Sequence, residues 1–255
     1  QLKRWLFYKW FFNKWTLSGL LLFVFLFHAI QVVPLPVLSR LDGMASDMRL
    51  RATLQRGQDS RIVIADIDEK SLQAYGQWPW NRHYLAQIMD TLFDHYQIKA
   101  LGFDMVFAEP AGERITKIYQ DLSQDKQLKD HFEKNLKKDL GFEALQDDAF
   151  SLSLKDRNTV AGILFQQQTL SRLNQLPDPI AQLDGATHEA LFIPKPVGYT
   201  ANQWAFHETS ASAGFFDNPL VDDDGNFRRV PLLQSYNGAL YPSLALALAQ
   251  LALDN

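Results

Sequence analysis

The chain contains no cysteine, which excludes disulfide bonds, thiolate metal sites and a cysteine nucleophile and is compatible with an oxidising compartment. Its first 39 residues contain no acidic side chain, although Lys3, Arg4, Lys9 and Lys14 lie there. The rest of the chain therefore carries 21 basic against 29 acidic residues. Because nucleic-acid binding needs clustered basic side chains, this acidic body indicates that nucleic acid is not a partner.

Charge is also missing from eighteen consecutive residues, Thr16 to Val33. A bilayer core of about 30 Å needs about 20 apolar residues in a helix, so we predict a transmembrane helix over residues 16–34. The flank at residues 1–15 alternates aromatic rings with lysines, as is typical of a membrane interface, and we expect it in the cytoplasm. A cleaved signal peptide would need small residues at its cleavage site, and residues 27–30 are a poor match. A buried core helix would rarely carry such a basic, aromatic collar.

The remainder divides into a linker and one domain. Residues 35–59 are polar and place Leu41, Met44 and Met48 near helical spacing, which predicts a juxtamembrane helix. Residues 60–255 show no internal repeat and form the predicted α/β domain.

A βαβ unit opens this domain. The β-branched run Arg61–Ile67 predicts a strand buried on both faces, and Lys99–Phe107 predicts a second apolar strand. Between them, Tyr84–Tyr96 has the apolar spacing of an amphipathic helix. Such a unit implies parallel strands and a right-handed crossover.

Further elements follow from the same patterns. They are a short helix from Asp68 or Ser71 to Tyr75, a solvated helical insertion at 111–140, a helix at 142–154, a third core strand at 159–165, an irregular stretch at 166–209, strands at 211–216 and 227–233, and a closing apolar helix at 241–253. The fold class is therefore mixed α/β with a helical insertion behind one transmembrane helix.

Three carboxylates follow the first two predicted strands. Asp66 and Asp68 come after the first, and Asp104 lies near the end of the second. Because the carboxyl ends of parallel strands share one sheet edge, the three acids could converge and hold Mg²⁺ or Ca²⁺. Alternatively, they cap helix N-termini and pair with Arg82 or Arg228.

An enzymatic interpretation of the same segment is a phosphohydrolase with Asp66 as nucleophile, because such enzymes present Asp-x-Asp after an apolar strand. Lys70 stands where those enzymes have Thr or Val, and no paired downstream acids are evident. Catalysis is the weakest of the three interpretations.

The segment Trp78-Pro79-Trp80-Asn81-Arg82 is the second candidate site. Its indole rings could form a ligand lid or a protein interface, and Arg82 could bind an anion. The alternative is that these side chains belong to the core. The candidate ligand-binding residues are Asp66, Asp68, Asp104, Trp78, Trp80 and Arg82.

The acidic run Asp222 to Asn226 is the third candidate. Its alternating acids suggest calcium, but the glycine is misplaced for an EF-hand and no distal glutamate follows. A tight turn centred on Asp224-Gly225 explains the same residues.

Several of these motifs, in this order, resemble the second class of CHASE domains, the cyclase- and histidine-kinase-associated sensory extracellular domains. The motifs are Asp66-Ile67-Asp68-Glu69 with Ser71, Trp78 to Arg82, Gly102 to Phe107, Gly214 to Asn218, Asp224-Gly225, Arg228 to Pro231, and Tyr241 to Ala245. The resemblance covers about residues 40–255 and is least clear at 111–140.

The resemblance implies a bacterial, extracytoplasmic input domain that is followed by membrane helices and a cytoplasmic nucleotide cyclase, kinase or diguanylate cyclase. Nothing in this chain resembles such an effector, so the chain itself is not expected to be an enzyme. The resemblance also implies a homodimer at the inner membrane, with the domain in the periplasm. It supplies no ligand-binding residues.

Three functions remain open. The first is signal input, in which a small molecule, ion or periplasmic protein binds and the helices at 39–56 and 241–253 relay the change to the membrane. The second is a periplasmic metal-dependent phosphohydrolase. The third is an envelope scaffold that uses the Trp78–Trp80 surface and the insertion at 111–140.

Overall fold

The computed structural model describes residues 14–30, 32, 35–54, 57, 59–111, 147–222 and 224–253. It divides the chain into two compact units, residues 1–65 and residues 66–255. Residues 1–13 of the predicted flank at 1–15 lie outside the described residues, as do residues 112–140 of the predicted insertion at 111–140.

The chain contains both helices and strands, as the predicted mixed class requires. The helices are α1 (Lys14–Ala29), α2 (Pro36–Thr53), α3 (Glu69–Tyr75), α4 (Arg82–Asp90), α5 (Gly185–Ala190), α6 (Trp204–Thr209) and α7 (Leu244–Leu253). The strands are β1 (Leu101–Gly102), β2 (Thr159–Gln166), β3 (Arg172–Leu173), β4 (Ala181–Gln182), β5 (Gly198–Thr200), β6 (Ser212–Phe215), β7 (Leu233–Tyr236) and β8 (Ala239–Pro242). Residues 147–154 are also helical. The mixed α/β class is confirmed.

The first unit contains α1 and α2. Within the described ranges, no helix combines the length and the apolar character needed to cross a membrane. Helix α1 has 16 residues and ends at Ala29, where the Leu35 N–H donates to His28 Nδ1 at 3.1 Å. The predicted transmembrane helix over residues 16–34 is therefore not supported. The predicted linker helix is present as α2, which begins with a proline in its first turn, where the missing N–H is tolerated.

The predicted first strand, Arg61–Ile67, is wrong. Residues 62–68 have no regular structure, and Ile62, Val63 and Ile64 are 75%, 83% and 89% exposed. A turn precedes them, in which the Asp59 carboxylate accepts the Arg61 N–H at 3.0 Å. β-branched residues fit well on a pleated, half-buried sheet surface. Such a surface exists only where a partner strand pairs with the segment, and none of the described strands pairs with this one.

Helices α3 and α4 of the second unit begin at side-chain caps. Asp68 accepts the Ser71 N–H at 2.9 Å, and Asn81 accepts the His83 N–H at 2.8 Å. Helix α4 continues as a π-helical turn, Thr91–His95. The buried positions of α4 are Arg82, Leu85, Ala86 and Met89. This spacing confirms the predicted amphipathic helix.

Strand β2 is the centre of the main sheet. It pairs in parallel with β1 and β6 through its first half and antiparallel with β5 through its second half, and β3 pairs with β5. Strand β2 is almost wholly buried, which confirms the predicted third core strand. The predicted second strand, Lys99–Phe107, is reduced to the two residues of β1.

A smaller antiparallel sheet has the order β4-β8-β7. The β7–β8 hairpin turns at Asn237 and Gly238, with φ angles of 52° and 81°. A two-residue hairpin turn of type I′ requires left-handed backbone conformations at both central residues. The hairpin strands are Leu233–Tyr236 and Ala239–Pro242, and the closing helix begins only at Leu244. The predicted strand at 227–233 and the predicted helix start at 241 are therefore wrong.

Helix α7 covers the main sheet where the sheet has glycine. A Cβ on Gly214 would lie 2.7 Å from the Leu244 Cα, and a Cβ on Gly102 would lie 2.6 Å from Leu248 Cδ1. The two glycines thus allow the helix to approach the backbone closely. The second unit contains two aromatic cores. One is built around Phe103, Phe107, Phe150 and Phe206, and the other around Phe165, Phe215, Tyr236 and Tyr241.

Candidate functional site

The carboxyl ends of the parallel strands β1, β2 and β6 lie at one edge of the sheet. Ligands of open α/β sheets bind at this edge. The polar residues that follow the three strands are Asp104 after β1, Gln167 after β2 and Asp217 after β6. Asp104 is exposed, whereas Gln167 and Asp217 join a hydrogen-bonded cluster.

The Asp217 carboxylate replaces a backbone acceptor. Strand β6 ends at Phe215 while β2 continues to Gln166, so the Phe165 N–H has no strand carbonyl opposite it. Asp217 Oδ1 accepts this N–H at 2.9 Å. The side chain therefore ties the end of β6 to the end of β2.

Gln234 connects Asp217 to the hairpin. Its Nε2 donates to Asp217 Oδ2 at 2.9 Å, and its Oε1 accepts from Gln167 Nε2 at 3.1 Å. The side chain of Gln234 is fully buried. We call Gln167, Asp217 and Gln234 the edge cluster, because its hydrogen bonds join three segments that are distant in sequence.

The Asp217 carboxylate of the edge cluster lies in an unusual electrostatic environment. Burial raises the pKa of Asp217 above its ordinary value, and the donors from Gln234 and Phe165 oppose this shift. Among the described residues, no lysine or arginine forms an ion pair with it. Asp217 is thus a half-buried carboxylate that accepts hydrogen bonds from the uncharged donors Phe165 N–H and Gln234 Nε2.

Some further polar atoms of the strands β2 and β7 are buried without a hydrogen-bond partner in the described structure. They are the Tyr236 hydroxyl, Ser235 Oγ and Gln166 Oε1. Tyr236 lies two residues beyond Gln234 in β7, so the two side chains share one face of the hairpin. Its ring lies 5.2 Å from the Tyr199 ring.

The predicted metal site at Asp66, Asp68 and Asp104 does not form. The described part of the chain contains no group of three or more His, Asp or Glu side chains that could hold a metal ion. Asp68 caps α3 and accepts from Ser71, and these hydrogen bonds lower its pKa. Because the first predicted strand is absent, the acids are not brought to one edge. The capping alternative is confirmed for Asp68.

Arg82 and Trp80 belong to the core. Arg82 Nε pairs with Asp147 Oδ1 at 3.2 Å, and its guanidinium lies 4.6 Å from the centre of the Phe107 ring. Trp80 is buried, and its Nε1 donates to the Gly76 carbonyl at 2.8 Å. Trp78 remains at the surface, 6.0 Å from the Trp80 ring. A ligand role for these residues stays a prediction.

The acidic run after β6 is a turn. The Gly225 N–H donates to the Asp222 carbonyl at 2.8 Å, and the φ of Gly225 is 79°. Asp222 and Asp224 pair with Arg228 at 2.9 Å and 2.7 Å, and these contacts lower the pKa of both acids. The arginines occupy the carboxylates that calcium would need.

The sequence-based predictions missed the edge cluster. Asp217 follows an apolar strand closely, as Asp104 does, so the same rule could have found it. No local sequence pattern indicated Gln234, because the predicted strand at 227–233 ended before it. Its partnership with Asp217 depends on the hairpin register.

Comparison with known families identifies the chain. A family model described as the CHASE2 domain matches residues 19–255. Searches of curated proteins and of solved structures find no match. CHASE2 domains are extracellular sensory domains of signalling proteins. Since the match covers all but the first 18 residues, the chain belongs to the CHASE2 domain family.

Proposed function

We propose that this chain is the periplasmic input domain of a homodimeric transmembrane signalling protein with a cyclase, kinase or diguanylate cyclase effector. The observation that carries the proposal is the CHASE2 match over residues 19–255. The uncharged run at residues 16–33 behind a basic flank supports attachment to the inner membrane. Dimerisation is supported by analogy, because such effectors work as pairs.

The edge cluster is the proposed point of signal reception. It contains a half-buried carboxylate without a described cation, and it lies at the ligand-binding edge of a parallel sheet. A small polar ligand that donates hydrogen bonds, or a proton, would change the bonds among Asp217, Gln234 and Gln167.

The route from this cluster to α7 is short. Gln234 lies opposite Tyr241 in the hairpin, and Ser243 directly follows the last residue of β8, Pro242. Ser243 Oγ accepts the Leu246 N–H at 3.2 Å at the start of α7, and the Ser243 N–H donates to the Leu232 carbonyl at 2.8 Å. A shift of the hairpin would therefore move α7 against the sheet, as in other shear transitions.

The test uses the full-length protein in native membranes, with effector output as the readout. Asp217→Asn and Gln234→Leu should hold the output at one level under conditions that change the wild-type output. Asp104→Asn, at the same sheet edge but exposed, is the matched control and should respond normally. Wild-type responses from both cluster variants would exclude this site, and an output unaffected by deletion of residues 60–240 would exclude the input function.

Topology can be tested separately because the chain has no cysteine of its own. Glu189→Cys introduces a thiol at a side chain that is 80% exposed. A membrane-impermeant maleimide should label it in intact cells. Labelling only after lysis would contradict the periplasmic placement.

The phosphohydrolase alternative gains no support from the described residues. Asp66 is exposed and follows an irregular segment, so no strand presents it at a sheet edge. The signal-input function therefore stands as the proposal.

A further inference from the structure

The two oxygens of the Asp217 carboxylate have different partners. Oδ1 accepts the Phe165 backbone N–H at 2.9 Å, and Oδ2 accepts from Gln234 Nε2 at 2.9 Å. A backbone N–H can only donate, so Oδ1 has to remain an acceptor whether the acid is ionised or protonated. A proton that binds to Asp217 therefore binds to Oδ2, the oxygen that faces Gln234.

The ionised state of Asp217 fixes the direction of two side-chain amides. The fully buried Gln234 side chain lies between Asp217 and Gln167. An ionised carboxylate only accepts hydrogen bonds, so it requires the Nε2 side of the Gln234 amide. The Oε1 side then faces Gln167, whose Nε2 donates to it at 3.1 Å. Each bond of this chain thus determines the direction of the next.

A proton on Asp217 reverses these requirements. Oδ2 then becomes an O–H donor, and the Gln234 Nε2 that faces it is a donor as well. A buried donor without an acceptor is costly, so a half-turn of the Gln234 amide is favoured. After this turn, Gln234 Oε1 accepts from Asp217 and Nε2 faces Gln167. The Gln167 amide has to turn too, because it now has to accept a hydrogen bond.

We propose that Asp217, Gln234 and Gln167 form an amide relay, in which protonation of Asp217 reverses both amides. The inference rests on the proposed function and deepens it, because it makes the proton the signal that the edge cluster receives. Gln167 is exposed, so the reversal reaches the surface. The atom of Gln167 that is directed away from Gln234 is Oε1 in the ionised state and Nε2 in the protonated state.

The elements around the edge cluster supply few groups that titrate. Strands β2 and β6 and helix α7 contain no charged residue. The hairpin contributes the phenols of Tyr236 and Tyr241, and β5 contributes that of Tyr199. Arg172 of β3 lies 6.0 Å from the centre of the Tyr236 ring. Burial raises the pKa of Tyr241, and Asp178 and the other two phenols raise it further.

The segment after β6 contains charged side chains that pair with one another. The described members of these pairs are Asp222, Asp224, Arg228 and Arg229. Burial, rather than a charged neighbour, is the largest cause of the raised pKa of Asp217. Asp217 therefore binds its proton at a higher pH than an exposed aspartate, whose ordinary pKa is about 3.9.

Two substitutions separate the steps of the relay. Asp217→Asn imitates the protonated acid, because the new amide keeps an oxygen for the Phe165 N–H and presents an N–H donor to Gln234. The amides of Gln234 and Gln167 should then have the reversed direction at every pH. Gln234→Met retains an unbranched side chain of similar length but removes the amide, so it disconnects Gln167 from Asp217.

The test is a pH titration of the purified chain of residues 1–255, followed by NMR of its isotope-labelled glutamine side-chain amides. In the wild type, the signals of Gln234 and Gln167 should shift together with one midpoint, above about 3.9. In Asp217→Asn, both should stay at the positions that the wild type reaches at low pH. Asp104→Asn, exposed at the same sheet edge, is the matched control and should leave the titration unchanged.

Three results would overturn the proposal. They are Gln167 signals that stay fixed in the wild type while those of Gln234 move, Gln167 signals that still move in Asp217→Asn, and Gln167 signals that still move in Gln234→Met. The wild-type titration needs no substitution, so it decides the question even if a variant does not fold. It also needs no effector. An effector output that ignores the sensory domain would therefore contradict the proposed function and leave the relay intact.

Discussion

Asn202 shows how one side chain can replace backbone pairing. It is buried, accepts the Phe107 N–H at 2.6 Å and donates to the Gly162 carbonyl at 2.7 Å. The segment after β1 leaves the sheet, and Asn202 reconnects it to β2. Most buried backbone groups are paired in this way when a ladder is interrupted.

Asn202→Ala should lower the free energy of unfolding by about 2–4 kcal/mol, because it leaves a buried N–H and a buried carbonyl without partners. Urea unfolding of the sensory domain measures the change. Asn158→Ala, which removes an exposed bond to the Lys99 carbonyl, should cost less than about 1 kcal/mol. Equal losses would contradict the role given to Asn202.

His207 predicts a pH dependence of stability. Burial lowers the pKa of His207 to about 4, and neither ring nitrogen has a hydrogen-bond partner in the described structure. At pH values between about 4 and about 6.5, the unfolded chain binds more protons than the folded chain, because only the unfolded chain has the ordinary pKa of histidine. The free energy of unfolding should therefore fall by about 2–3 kcal/mol as the pH falls through this window.

His207→Phe should remove that part of the slope, measured as urea unfolding at several pH values. His83→Gln, on the exposed side of α4, should keep it. Asp217 contributes with the opposite sign, because a raised pKa favours the protonated folded state and destabilises the domain as the pH rises. A slope unchanged in His207→Phe would show that other groups carry the acid sensitivity.

At the scale of elements, the contact between α7 and β6 depends on the absence of a side chain at Gly214. A Cβ there would meet the Leu244 Cα, and the Leu244 N would lie 2.8 Å away. Backbone atoms cannot rotate aside as a flexible side chain can, so the helix must move.

Gly214→Ala should therefore lower the free energy of unfolding by about 1–3 kcal/mol. Gly185→Ala is the matched control, since nothing lies within 4 Å of its Cβ position in α5. The control should be neutral or slightly stabilising, because alanine favours helix. Thermal unfolding of both variants provides the comparison, and a stable Gly214→Ala protein would contradict the described packing.

Elements were predictable from sequence where the signal was local. The apolar spacing of α4 and the continuous apolar run of β2 gave both elements correctly. The run at 61–67 has equal β propensity and yet forms no strand, because propensity does not supply a partner. The Asn237-Gly238 turn was a strong local signal that the sequence-based predictions overlooked.

At the scale of the whole molecule, the division after Ala65 leads to a prediction about folding. The unit from Asp66 to Asn255 holds both sheets and both aromatic cores. A fragment of residues 66–255 should therefore unfold in one cooperative transition, seen at the same denaturant concentration by circular dichroism and tryptophan fluorescence. Transitions that differ between the two probes would indicate that the unit depends on residues 1–65.

The sequence alone determined the mixed α/β class, the amphipathic helices and the family, because each depends on short patterns or on motif order. Tertiary structure decided which apolar runs became strands and which polar residues met. The edge cluster joins Asp217 to Phe165 and Gln234, which lie 52 and 17 residues away. Strand order and hairpin register set those distances, and neither is encoded in a local pattern.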